Sequence, residues 1–133
     1  MGFDQYHEPP GELSAKTRTF ARMCASLTEE AEAIGWYEQR LSVESDKDAK
    51  AIMADAQKEE FKHFSMDLEF LLRKVPRWRE TAAGVLFQEG DIVEHGEAAE
   101  AASEDDDGDD DTAAPMAAGE GSLAIGSLKG QGR

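Results

Sequence analysis

A carboxylate and an imidazole interrupt the apolar side of a long helical stretch in the middle of the sequence. At about 100° per residue, the apolar residues of this stretch fall on one broad side: Ile52, Met53, Ala56, Phe64, Leu68, Phe70 and Leu71. Glu60, His63 and Asp67 fall among them. Glu60 and His63 are three residues apart, so on a helix their side chains point the same way and can bind one ion. Because a buried carboxylate is costly unless it is paired or coordinates a metal, the pattern predicts a metal centre on the packed side of this helix.

The first helical stretch carries the same kind of interruption. Glu30 stands inside its apolar stripe, which consists of Phe20, Met23, Leu27, Ile34 and Leu41. Together the two stretches supply one Glu and one Glu-x-x-His, which is half of the ligand set with which one class of four-helix bundles holds two metals. We therefore predict an all-α fold: an antiparallel two-helix hairpin plus a short C-terminal helix, dimerising into a four-helix bundle with the site on the two-fold axis. A buried polar network without metal is the alternative interpretation.

Capping residues predict where the two long helices begin and end. Ser14 offers an N-cap for the first helix, which ends near residues 41–43. Ser45 and Asp48 resemble a capping box for the second helix, which spans 46–74 and is followed by a proline. Because the connection is so short, the two helices are expected to be antiparallel neighbours.

A shorter helical pattern follows the hairpin. Residues 78–87 fit a third helix that ends before Gly90, and 92–101 fit a further helical piece. His95 lies in that last piece without a partner at ligand spacing, so it is expected to be a surface histidine.

The face of the first helix opposite its apolar stripe carries Glu29, Glu32 and Trp36. A tryptophan there favours packing on a second side, and hence an assembly larger than a dimer. Gly35, beside Trp36, suggests close packing at the same place. Glu29 and Glu32 are one turn apart and fit either a weak cation-attracting site or an ordinary solvated acidic face.

Charge and cysteine usage limit the partners and the compartment. The formal net charge of -15 excludes nucleic acid and anionic membranes as natural partners and favours cations. A single cysteine, Cys24, cannot form an intrachain disulfide and favours a reducing compartment. No secretory signal and no apolar run of membrane-spanning length are present. A soluble cytoplasmic protein is therefore expected.

Composition divides the chain into four parts. They are a predicted extended arm, a helical domain, a disordered acidic linker and a terminal peptide, at 1–13, 14–101, 102–120 and 121–133 respectively. In the terminal peptide, Leu123, Ile125 and Leu128 stand in a Gly/Ser frame. This spacing suits an extended peptide whose apolar side chains dock into another protein's groove.

Several blocks of the sequence resemble the encapsulated ferritins. They are His7-Glu8-Pro9, the stretch 29–40 (EEAEAIGWYEQR), Glu59-Glu60-x-x-His63 and the stretch 86–90 (LFQEG). The stretch 122–130 (SLAIGSLKG) resembles the cargo-loading peptide that directs such proteins into encapsulin shells. The resemblance covers residues 7–93 and the tail.

This resemblance implies a helical domain that dimerises into a ferritin-like four-helix bundle, with the dimers arranged in a ring-shaped oligomer, a decamer. Two irons would lie at each dimer interface, held by Glu30, Glu60 and His63 of both chains. Glu29 and Glu32 would match an entry or attraction site for iron.

The resemblance also places Trp36 and Tyr37 near the site. The sequence departs from the family at Asp55, where relatives can carry His, and at Lys62, where they can carry Glu. An accessory metal site near the second helix is therefore in doubt, whereas the main ligand set is intact.

The function implied is that of a ferroxidase, which oxidises ferrous iron with oxygen for mineralisation and storage inside an encapsulin nanocompartment in a bacterial or archaeal cytoplasm. The partner would be the encapsulin shell protein. Two other classes compete. A rubrerythrin-like di-iron peroxidase usually needs more ligands per chain and often a rubredoxin-like cysteine site, which one cysteine cannot build. A non-catalytic helical cargo scaffold would use the same residues as a polar dimer network.

Overall fold

The structure, a computed structural model, describes residues 6–105, and within them it contains helices and no strand. A single turn of 3-10 helix at Pro10–Glu12 precedes four α-helices: α1 (Ala15–Val43), α2 (Lys47–Lys74), α3 (Pro76–Val85) and α4 (Ile92–Asp105). The predicted all-α fold is thereby confirmed. The 3-10 turn lies inside the predicted extended arm, and α4 continues four residues past position 101, into the stretch expected to be linker.

The two long helices, α1 and α2, form an antiparallel hairpin joined by three residues, 44–46. At the start of α1 the Ser14 hydroxyl accepts a hydrogen bond from the Thr17 backbone N–H at 3.1 Å, which confirms the predicted N-cap. Arg18 fastens the preceding segment, because its guanidinium donates to the carbonyls of Pro10 and Leu13.

The N-cap of α2 is Asp46. Its carboxylate accepts a hydrogen bond from the Ala49 N–H at 2.9 Å, and its own N–H donates to the Glu44 carboxylate at 2.8 Å. The predicted capping box of Ser45 and Asp48 is wrong, because the extended backbone falls at Asp46 and brings that carboxylate onto the first turn.

The interior of the single chain is small. Among the described residues, the buried apolar ones are Ala25, Leu71 and Leu72. A polar residue, Gln57, is buried with them. Its side-chain amide donates to the Ile34 carbonyl at 3.3 Å and to a Glu38 carboxylate oxygen at 3.0 Å. These bonds cross from α2 to α1, so they fix how far one helix is displaced along the other.

A second, tighter helix pair follows. α3 begins at Pro76, directly after α2, because proline is well tolerated at the first helical position. The backbone of α3 approaches α4 so closely that a Cβ at Gly84 would lie 2.7 Å from the Cβ of Ala99. Asp91 caps α4 by accepting from the Glu94 N–H at 2.9 Å. Both predicted C-terminal helical pieces are therefore present, and they pack on each other.

The turn between α3 and α4 begins earlier than expected. α3 ends at Val85, Leu86 is extended, and Phe87 has a φ of 60° with a fully exposed side chain. Gly90, with a φ of 105°, completes the turn.

The expected surface position of His95 is only partly correct. It is half-buried, and its Nε2 donates to the Glu89 carbonyl at 2.7 Å.

Large apolar side chains remain exposed on the hairpin, among them Ile52 (71%), Met66 (61%) and Phe61 (49%) of α2 and Trp36 (54%) of α1. α1 therefore covers only part of the apolar side of α2. A Cβ at Gly35 would meet no neighbouring group within 4 Å, so the close packing expected beside Trp36 does not occur within the described chain. No helix in the described part of the chain is both long enough and apolar enough to cross a membrane.

Candidate metal centre

Glu30 of α1 meets Glu60 and His63 of α2 near the middle of the hairpin. The Nδ1 atom of His63 lies 3.4 Å from a Glu60 oxygen and 4.0 Å from a Glu30 oxygen. One ligand atom from each of the three residues lies within 4.8 Å of the other two. Glu60 and His63 share a face because they are one helical turn apart. Glu30 joins them through the antiparallel pairing of α1 with α2.

The two carboxylates of this centre share a proton. The hydrogen bond with Glu60, followed by burial, raises the pKa of Glu30 to about 7, and the nearby charges of Glu60 and Asp67 act in the same direction. The same hydrogen bond with Glu30, followed by the bond to His63, lowers the pKa of Glu60 against the opposing effect of burial. The pair of carboxyl groups therefore retains one proton to a higher pH than a separate carboxyl group would.

The donor set suits a divalent first-row metal. Two carboxylates and one imidazole are hard to borderline ligands, which suit ferrous iron, manganese or zinc rather than metals that prefer thiolates. The carboxylate side chains are largely covered, with 23% of Glu30 and 21% of Glu60 exposed, whereas 45% of His63 is exposed. The centre is therefore open on the His63 side, where further ligands or a second copy could approach.

Four residues of α1 were predicted to lie around the centre. Glu29 and Glu32 are exposed on α1 and do not join the group of three. Trp36 is exposed, and Tyr37 is half-buried with the Arg40 guanidinium 5.3 Å from its ring centre. The roles assigned to these residues remain predictions.

Asp55 and Lys62, the two positions that depart from the family pattern, both lie on α2. Asp55 is exposed, and Lys62 forms an ion pair with Glu59. The predicted docking residues Leu123, Ile125 and Leu128 lie outside the described part of the chain.

Two polar residues near the centre were given no role by the sequence. Gln57 lies one turn before Glu60 and joins the helices. Asp67 lies one turn after His63, and its Oδ2 atom is buried without a hydrogen-bond partner among the described residues. Each is a polar residue on the apolar side of α2, which is the pattern that singled out Glu60 and His63. Periodicity alone does not predict which groups a side chain contacts.

Comparison with known proteins identifies the family. The family model described as EncFtn-like matches residues 5–89, which include all of α1, α2 and α3 and the three residues of the centre. The chain belongs to the EncFtn-like family. The resemblance to the encapsulated ferritins is therefore confirmed.

Two relatives and one solved structure illustrate this EncFtn-like membership. A "Ferritin-like protein" of Thermotoga maritima is 43% identical over 91 residues, which make up 68% of this chain and 80% of that protein. An "Encapsulated ferritin-like protein" of Rhodospirillum rubrum is 42% identical over 125 residues, 94% of this chain and 88% of that one. A crystal structure of a protein from Nitrosomonas europaea matches with a TM-score of 0.65 and 40% identity, covering 67% of this chain and 98% of the other.

Proposed function

We propose that this EncFtn-like protein is a ferroxidase, which oxidises ferrous to ferric iron with dioxygen at a di-iron site built across a homodimer. The observation that carries the proposal is the convergence of Glu30, Glu60 and His63 on one partly buried point. Each chain supplies one Glu and one Glu-x-x-His, and a four-helix di-iron site needs two of each. The exposed side of His63 leaves room for the second copy.

Each residue has a distinct task in this proposal. Carboxylates hold ferrous iron and stabilise the ferric product more strongly, because hard anionic oxygens favour the higher charge. Two ferrous ions held there would each supply one electron to a single dioxygen molecule, which would be reduced to the peroxide level with the uptake of two protons. This chemistry needs no organic cofactor. Binding of iron would displace the proton shared by Glu30 and Glu60, and His63 would bind through a ring nitrogen.

The test is anaerobic addition of ferrous iron followed by oxygen, with ferric absorbance recorded over time. Wild type is expected to oxidise about one iron per chain rapidly, as two irons per dimer require, and Glu60→Ala is expected to lose this phase. Glu59→Ala is the matched control, because Glu59 is the adjacent carboxylate but is exposed, pairs with Lys62 and does not belong to the group of three. Equal slow oxidation by all three proteins would instead identify a helical cargo scaffold.

The second part of the proposal concerns location. Residues 121–133 dock through Leu123, Ile125 and Leu128 into an encapsulin shell protein and place a ring of dimers, a decamer, inside the compartment. The support is the name of the Rhodospirillum rubrum relative together with the extent of its match, which covers 94% of this chain and so continues beyond residue 89, where the family match ends.

Deletion of residues 121–133 separates the two parts of the proposal. Co-expressed with the shell protein, the truncated chain is expected to remain outside the purified shells, while its oxidation of iron in free solution is unchanged. Truncated chain recovered inside the shells, or a truncated chain that no longer oxidises iron, would contradict this division between the tail and the helical domain.

A further inference from the structure

Asp67 occupies the same side of α2 as the candidate metal ligands. It follows His63 by four residues and Glu60 by seven, which is one and two turns of helix. Its Oδ2 atom is buried, and its charge contributes to the raised pKa of Glu30 on α1. Asp67 is therefore a third carboxylate beside the centre.

The environment of Asp67 is incomplete in the single chain. Its Oδ2 atom is buried, and no donor among residues 6–105 reaches it. Buried carboxylate oxygens in folded proteins are nearly always hydrogen-bonded, because burial without a partner costs free energy. Some group outside the described chain must therefore complete this site, and three neighbouring carboxylates against one imidazole favour a cation.

Asp67 stands outside the set of three ligand atoms that lie within 4.8 Å of one another. Asp67 is therefore a neighbour of the ligands and not one of them. Carboxylates beside a metal site accept hydrogen bonds from the ligands or from the water that hydrates the ion, and their loss typically weakens metal affinity by about 10- to 100-fold.

We propose that Asp67 is a positioning residue of the metal centre, which strengthens divalent cation binding at Glu30, Glu60 and His63 through its charge and by accepting a hydrogen bond from water that hydrates the ion. This inference rests on the proposed function for the identity of the natural cation. In the metal-free protein Asp67 carries a cost in free energy, because its buried oxygen lacks a donor and its negative charge opposes ionisation of Glu30. The cation removes that cost.

Anaerobic calorimetric titration with Co²⁺ tests the inference without relying on turnover, and thermal melting of the metal-free protein accompanies it. Asp67→Asn keeps the shape of the side chain and removes its charge. We expect its Co²⁺ affinity to fall about tenfold or more while the metal-free protein melts no lower than wild type. Asp67→Glu restores the charge and is expected to recover part of the affinity. Asp48→Asn, an exposed acid on the same helix, is the matched control and should bind Co²⁺ as wild type does.

Two results would overturn the inference while leaving the proposed function intact. One is Co²⁺ binding by Asp67→Asn that equals wild type. The other is an Asp67→Asn protein that melts lower when metal-free, with no recovery of affinity in Asp67→Glu, which would assign Asp67 a purely structural role. Failure of wild type to bind Co²⁺, with no difference from His63→Ala, would overturn the proposed function and the inference together.

Discussion

Glu30 carries a proton near neutral pH on the same carboxyl group that would bind a cation. Its pKa is raised to about 7, chiefly by the hydrogen bond with Glu60 and then by burial. A metal ion binds the ionised carboxylate, so the ion and the proton compete for Glu30. The proton holds the two carboxylates together when no metal is bound, since it removes the repulsion between them.

This competition predicts the pH dependence of metal binding. Below about pH 7 each bound ion must displace the proton on Glu30, so apparent Co²⁺ affinity should fall about tenfold for each further pH unit and level off above pH 7. Calorimetric titration in two buffers of different ionisation enthalpy measures both the affinity and the protons released. Glu30→Gln has no ionisable group at this position. It should bind Co²⁺ weakly at every pH, and its affinity should change less with pH than that of wild type. An affinity that is the same at about pH 6 and about pH 8 would contradict the shared proton.

The three residues of the centre were predictable because helical period alone decides which side chains share a face. Glu30, Glu60 and His63 break the apolar stripes of their helices, and the structure brings them together. The partners of Gln57 and the missing partner of Asp67 were not predictable. They depend on the displacement of α1 along α2, which is set by packing and by the length of the turn rather than by either helix alone.

At the scale of the helices, α3 and α4 form the closest contact found at a glycine in residues 6–105. A Cβ at Gly84 would approach the Ala99 Cβ to 2.7 Å, nearer than side chains tolerate, whereas a Cβ at Gly96 of α4 would meet nothing within 4 Å. The same chemical change therefore has opposite consequences at two positions of one helix pair.

Gly84→Ala is expected to destabilise the protein by about 1–3 kcal/mol through overpacking. Gly96→Ala is expected to stabilise it by about 0.5–1 kcal/mol, because alanine loses less backbone entropy in a helix. Urea denaturation followed by circular dichroism gives both values. A Gly84→Ala protein as stable as wild type would mean that the α3–α4 contact is looser than described.

Element boundaries show where sequence patterns lose their value. The start of α1 was predicted from Ser14 alone, because that cap needs only a local hydroxyl. The end of α3 was placed too late, since Leu86 and Phe87 continue an apolar pattern that suits a helix. In the structure α3 ends at Val85, and α4 packs against Gly84. The end of α3 therefore depends on the contact between Gly84 and Ala99, which are 15 residues apart in the sequence.

At the scale of the whole molecule, the described residues 6–105 bury few apolar side chains. Ala25, Leu71 and Leu72 are the buried apolar residues of the described part, while large apolar side chains of α2 face outward. Met66 is one of these. It lies three residues after His63 and is 61% exposed, beside the open side of the centre. We therefore expect a second copy to cover this flank.

If association supplies the missing burial, the melting temperature of the protein should rise with its concentration. Met66→Glu places a charge in the contact and should remove that dependence, lower the oligomer mass in sedimentation, and weaken Co²⁺ binding although Met66 is not a ligand. Ser65→Glu adds the same charge at the neighbouring position, about 100° around the helix, and should behave as wild type does. A Met66→Glu protein that is monomeric yet binds Co²⁺ normally would show that one chain suffices.

The three-residue turn between α1 and α2 makes the hairpin a complete unit that carries one Glu and one Glu-x-x-His. Because the helices are antiparallel, the start of α1 and the end of α2 lie at the same end of the unit, so two hairpins could be joined head to tail by a modest linker. Such a tandem fusion would hold a full di-iron ligand set in one polypeptide. Association of the two hairpins would then be intramolecular, with an effective concentration in the millimolar range. The ligands of one hairpin could also be substituted while those of the other are kept.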